Sequence, residues 1–211
     1  MGNILALFIE SSAKSGGEQF LSSFWCAYND LARDRPEVLA ELAKDWYWEK
    51  TSREQGGKAI YSRAIVGQVN GKPEINFGKS FVAGHPKYPL SDEAPPLTSS
   101  QEVALRILMD TVRKNCFQLD TRRGDILFVN NLSVMHARHA FVDDADPDNS
   151  RHMLRLWLKD KEKSWPIADS LKYDGKDLWN VAPGFQRLPT MTEWDALPRE
   201  TRVADSACSH D

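Results

Sequence analysis

The chain has 211 residues, of which 41% are hydrophobic and 27% charged. A chain of this length buries roughly 70% of the surface its unfolded form exposes, so it predicts one self-sufficient domain without disulfide or metal staples. Its 27 Lys and Arg stand against 30 Asp and Glu, and the net charge of −3 leaves no positive surplus for a phosphate backbone or an anionic bilayer. Nucleic-acid and membrane binding are therefore excluded as expected functions.

Cys26, Cys116 and Cys208 are distant, odd in number and form no CxxC, which predicts a reducing, cytoplasmic setting and no zinc ribbon. The apolar run from Ile4 to Ile9 lacks a basic flank and is too short to span a bilayer, so it reads as a buried strand. Gly2 suggests N-myristoylation, but Ala6 stands where that consensus wants Ser or Thr.

Ser15-Gly16-Gly17-Glu18 then predicts a turn, and Gln19 to Phe24 a second extended stretch before a helical one. Leu31, Val38, Leu39 and Leu42 mark an amphipathic helix over 35–44, with Pro36 in its first turn. Trp46, Tyr47 and Trp48 read as core aromatics. Between Ile60 and Phe81, β-branched and aromatic residues flank Asn70-Gly71, the dipeptide that most strongly signals a hairpin. Pro86, Pro89, Pro95 and Pro96 give an irregular loop, after which Ser99 or Ser100 caps a helix carrying Val103, Leu105, Ile107, Leu108 and Val112. Strands are predicted over 125–130 and 152–158. No repeat, linker or βαβ alternation appears, which favours an all-β or α+β barrel over a doubly wound sheet. Pro189, Pro198 and a polar end predict a weakly ordered tail over 184–211, leaving a domain over 1–183.

The richest segment is GDILFVNNLSVMHARHAFVDDADPDNSRHMLRLWLKD, residues 124 to 160. On a strand, Arg151, Met153, Arg155 and Trp157 share one side, and Leu154, Leu156 and Leu158 the other. The two arginines then lie about 13 Å apart along the strand. Buried guanidinium groups need anions, and a carboxylate-bearing small molecule would supply one. Equally, Asp143, Asp144, Asp146 or Asp148 could pair with them at the surface. Asp144-Ala-Asp146-Pro-Asp148 imitates an EF-hand start, but Asn149 and Arg155 occupy its Gly and Glu positions, so calcium is not predicted. Arg123-Gly124-Asp125 and the sequon Asn131-Leu132-Ser133 fall at a core strand and read as chance matches.

AKSGGE at 13–18, Arg35-Pro36, Pro96-Leu97-Thr98, GDILFVNN at 124–131, HAR at 136–138 and RHMLRLWLKD at 151–160 occur in one order. In that order the chain resembles the taurine hydroxylase-like (TauD/TfdA) dioxygenases, in the fungal form related to clavaminate synthase. The resemblance implies a mainly β (α+β) fold with a double-stranded β-helix (jelly-roll) core, flanking helices and absent N-terminal strands. It implies Fe(II) and 2-oxoglutarate as cofactors, bound by two histidines and a carboxylate with open positions for co-substrate and O₂. By the same resemblance His136 corresponds to the distal histidine ligand and Arg151 to the arginine on the 2-oxoglutarate carboxylate. Arg155 would line the co-substrate or substrate pocket. Gln19 stands where the family has Ser or Thr against 2-oxoglutarate.

The family's His-x-Asp/Glu pair would fall upstream of Met1. None of His85, His136, His139 and His152 has a carboxylate two residues on. Substitution by His139 and Asp143 would require a helix where the family has a loop, and Glu10 is a further carboxylate that could be adopted. No catalytic acid, base or nucleophile is assigned. The expected function is oxidation of a small molecule in a fungal secondary-metabolite, for instance mycotoxin, pathway. The alternative is a truncated pseudoenzyme that binds a ligand or partner without turnover.

Overall fold

The computed structural model describes residues 2–52, 57–85, 89–144, 150–160 and 162–172, with backbone alone at 50–52 and 57–59. The domain end at 183, the tail over 184–211, Asp146, Asp148, Cys208 and His210 lie outside the described residues.

The opening apolar run forms β1 (Ile4–Ser11), β2 (Ser15–Gly16) follows the turn, and β3 spans Gln19–Ser23. Ser23 caps α1 (Phe24–Asp34) by accepting from the Cys26 N–H, and Pro36 opens α2 (Pro36–Leu42), where its missing N–H costs no hydrogen bond. Two hairpins come next: β4 (Trp46–Ser52) with β5 (Gly57–Arg63), and β6 (Val66–Val69) with β7 (Lys72–Ile75). Asn70 and Gly71 both have positive φ, 51° and 75°, as the tight turn between β6 and β7 demands. After α3 (Lys79–Ala83) comes α4 (Ser99–Lys114). Its cap is Thr98, one residue before the serines expected from the sequence, because Gln101 at the third helical position completes a capping box with Thr98. The remaining strands are β8 (Cys116–Leu119), β9 (Ile126–Asn130), β10 (Val134–Arg138), β11 (Phe141–Val142) and β12 (His152–Leu158).

Two antiparallel three-stranded sheets face each other, in the orders β12-β1-β9 and β10-β3-β8. Leu5, Leu7 and Val129 of the first pack against Leu21 and Val134 of the second, with Met153 and Trp157 beside them. Helices α1, α2 and α4 cover the other side of the second sheet, where Ser22 donates to the Val112 carbonyl at 3.1 Å. Phe24, Leu31, Leu42, Trp46, Trp48, Leu105 and Leu108 form the larger core there. Trp46 and Trp48 are core residues as expected, but Tyr47 points outward and is 51% exposed, since neighbours on a strand alternate faces. Val103, expected on the buried stripe of α4, is likewise exposed, and Ala104 takes the inward position.

This is the α+β, double-stranded β-helix architecture with flanking helices that the sequence predicts. Of the stretch from His136 to Asp143 where a loop was expected, His136–Arg138 ends β10, which finds a ladder on β3, and Phe141–Val142 is β11.

Candidate functional site

The space between the sheets receives every second side chain of β3, β10 and β12. On β10, Val134 packs into the inter-sheet cluster while Met135 packs on the helical core, so His136 and Arg138 point inward with Val134. Register sets Leu21 of β3 opposite His136, and Gln19 opposite Arg138. From the other sheet, Met153 and Trp157 point inward, which puts Arg155 between them, beside Leu7 of β1. The leucines at 154, 156 and 158 take the outer face, as the alternation predicts.

His136 and Arg155 meet across this space. Burial, and then the charge of Arg155, push the His136 imidazole below its ordinary pKa, so at neutral pH it is an uncharged nitrogen base. That is the form in which histidine can donate a lone pair to a metal.

Arg151 enters where β12 begins. Its backbone N–H donates to Asp143 Oδ1 at 2.8 Å, and Nη2 lies 2.7 Å from the Met153 sulfur. Gln19, 7% exposed, directs its amide to the same sulfur at 4.0 Å. The Phe141 ring stands between two guanidinium groups, Arg151 at 5.2 Å and Arg138 at 4.6 Å from its centroid. Gly17, at φ 77°, comes so close that a Cβ there would lie 3.3 Å from both Arg151 Nε and Phe141 Cβ. The SGG turn thus lets the backbone approach the arginine, a contact that Phe141 paired with Gly16 fixes from the other side.

A cavity of about 160 Å³ opens here, with Ser11, Gly17, Gln19, Thr121, Arg151 and Met153 in its wall. The structure therefore brings Gln19 and Arg151 to one cavity, and His136 and Arg155 to an adjoining pair outside its wall. One guanidinium, one amide and hydroxyls could hold a small anion here, while Glu18 and Asp120, in the same wall, are engaged by His139 and Arg122.

The donors for a metal are fewer. Among the described residues no three His, Cys, Asp or Glu side chains converge. Glu10 is engaged by His152 at 2.6 Å, His139 by Glu18 at 3.3 Å and by the Phe20 ring, and Asp144 by Lys14 at 3.6 Å. Because 134–138 is a strand, His136 and His139 do not share a helical face. A helical His136, His139 and Asp143 set does not form.

Met153, Phe141 and Thr121 are the site residues that sequence reasoning missed. Met153 sits between two arginines at strand spacing, so its inward position was readable. Phe141 and Thr121 reach the site through pairings across loops and carry no local signal.

The facing sheets define a double-stranded β-helix with a row of basic residues turned to its interior. Among solved structures, it is similar to an asparagine oxygenase in complex with Fe(II), 2S,3S-3-hydroxyasparagine and succinate (TM-score 0.54, 12% identity, 74% of this chain and 45% of that one). AAD-2 in complex with Mn(II) and N-oxalylglycine gives a TM-score of 0.53 at 15% identity, over 78% and 66% of the two chains. These likenesses concern the fold. The model of the taurine catabolism dioxygenase TauD, TfdA family matches residues 2–157, and the chain belongs to that family. It is 32% identical over 173 residues to the taurine hydroxylase-like protein SAT17 of Stachybotrys chartarum, covering 82% of this chain and 44% of the relative. It is 29% identical over 164 residues to the FR-33289 synthase of Streptomyces rubellomurinus, covering 74% and 47%. The chain thus spans less than half the length of these curated relatives.

Proposed function

We propose that the chain serves 2-oxoglutarate- and Fe(II)-dependent oxidation of a small molecule in secondary metabolism, with the Gln19–Arg151 cavity as the seat of the 2-oxoglutarate carboxylate. The observation that carries this reading is the convergence of Arg151, Gln19 and the close-approaching Gly17 on one small cavity in a TauD/TfdA family member. The names of the fungal and streptomycete relatives support the metabolic setting.

The residues present fit the dicarboxylate. Arg151 would hold its charge with two parallel N–H bonds, Gln19 would donate an amide hydrogen, and Met153 would flank both as a weak, displaceable acceptor. They do not fit the iron, for which the described residues offer His136 alone, so no step is derived through the metal. Arg155, beside His136, is the second cation that an anionic substrate group would meet.

Thermal unfolding of the 211-residue protein with and without 2-oxoglutarate tests the cavity. We expect a rise in Tm that vanishes in Arg151→Ala and is partly kept in Arg151→Lys. An equal rise in Arg151→Ala would reject this seat. Succinate release with added Fe(II) and O₂ tests the oxidation separately.

A further inference from the structure

The outer face of the β12-β1-β9 sheet is apolar over all three strands. Ala6 of β1 lies between Phe128 and Leu156, Phe8 between Ile126 and Leu154, and Ile4 opposite Leu158. Phe128 is 64% exposed, Ile126 57%, Leu156 44%, Leu154 43% and Leu158 38%. These side chains adjoin through cross-strand pairing and include no charge. Taking roughly 150–200 Å² for a large apolar side chain, the five expose about 370–490 Å² together. That is the size of patch that marks an interaction surface rather than scattered surface leucines.

We propose that this face binds a second copy of the chain, sheet against sheet, in a two-fold dimer. An apolar patch is its own complement, which a two-fold interface requires, since each residue meets the same patch on the partner. Its charged residues, Glu10 and His152, lie at the rim and already pair with each other at 2.6 Å. Two such faces, with the half-buried Ile4 and Phe8 between the flanking strands, remove about 750–1,000 Å² from water, close to the lower limit for a specific association. Strands of stacked sheets lie about 10 Å apart and within about 30° of parallel, and outward Leu, Ile and Phe side chains can interdigitate at that spacing. An area this small belongs with weak, reversible associations.

Sedimentation velocity of the full 211-residue chain over a wide concentration range tests the proposal. The expected result is a monomer shifting to a dimer as concentration rises. Phe128→Lys with Leu156→Lys should leave a monomer throughout, with unchanged far-ultraviolet circular dichroism. Should the lysine pair disturb folding, Ile126→Thr with Phe128→Thr keeps strand propensity and should weaken the dimer at least tenfold. A benzoylphenylalanine photo-crosslinker at position 128 should yield a covalent dimer. The proposal is overturned if the wild-type chain is monomeric at every concentration, if the dimer survives both variant pairs, or if cross-links form only within one chain, as they would were residues 173–211 to cover the face.

Discussion

Glu74 is 1% exposed, and its carboxylate accepts the Ala168 N–H at 2.9 Å. Burial raises its pKa above the ordinary 4.5, and the single N–H bond opposes this only in part. The folded state therefore keeps a proton that the unfolded chain releases first. The stabilisation is complete below the unfolded value and is lost as pH rises through the folded one. Glu74→Gln keeps the acceptor for Ala168 without the desolvated charge. Its Tm should exceed that of the wild type at pH 7 and match it at pH 4, a comparison that one calorimetry series would settle. At the site, the matching single-residue expectation concerns Met153. Met153→Leu keeps the volume and removes the acceptor shared by Arg151 and Gln19, so it should change 2-oxoglutarate affinity severalfold while Tm without ligand moves little. A loss of stability with unchanged affinity would assign Met153 to packing alone.

Elements are held at their ends by equally specific contacts. The segment following β12 stacks Trp165 on Trp25, accepts from the Asn3 side chain through the Trp165 carbonyl, and packs a 3-10 turn (Asp169–Leu171) on β6. Gly67 makes that packing possible. A Cβ there would come 2.6 Å from Ala168 Cβ and 2.9 Å from Ser170 Oγ. Gly67→Ala should cost about 1–3 kcal/mol in denaturant unfolding, because the turn must lift away. Thr98→Ala removes the capping box of α4 and should cost about 1 kcal/mol, whereas Ser99→Ala and Ser100→Ala should cost less. The Asn70-Gly71 hairpin and the proline-led α2 were legible in sequence because each rests on a local backbone requirement. The cap at Thr98 was displaced by one residue, since three hydroxyl residues in a row each satisfy the composition and only the Gln101 side chain chooses among them.

At the scale of the molecule, the opposed sheets were legible through alternation in 152–158 and through family resemblance together. Alternation separated Arg151, Arg155 and Trp157 from Leu154, Leu156 and Leu158. By hydropathy alone the leucines would have been assigned to the interior. The structure does the reverse: the arginines face the space between the two sheets and the leucines stand on the outer face. The roles of His136 and Arg151 came from resemblance; what the structure adds is that Arg151 meets Gln19 and Gly17 while His136 meets Arg155. Titration with Fe(II) followed by calorimetry should show weak binding to the 211-residue chain, as expected from one histidine where a site needs three donors. Submicromolar binding lost in His136→Ala would instead require donors beyond the described residues.

The central strand of the first sheet is also the first of the described strands. Ile4 pairs with Asn130 on one side and with Leu158 on the other, so β1 has neither neighbour until the far end of the domain has been made. At about 5–20 residues per second, the ribosome leaves this apolar strand waiting for roughly 8–30 seconds. Its partners, like those of β3 in the second sheet, are so remote in sequence that sheet closure is expected late, after the helices and hairpins.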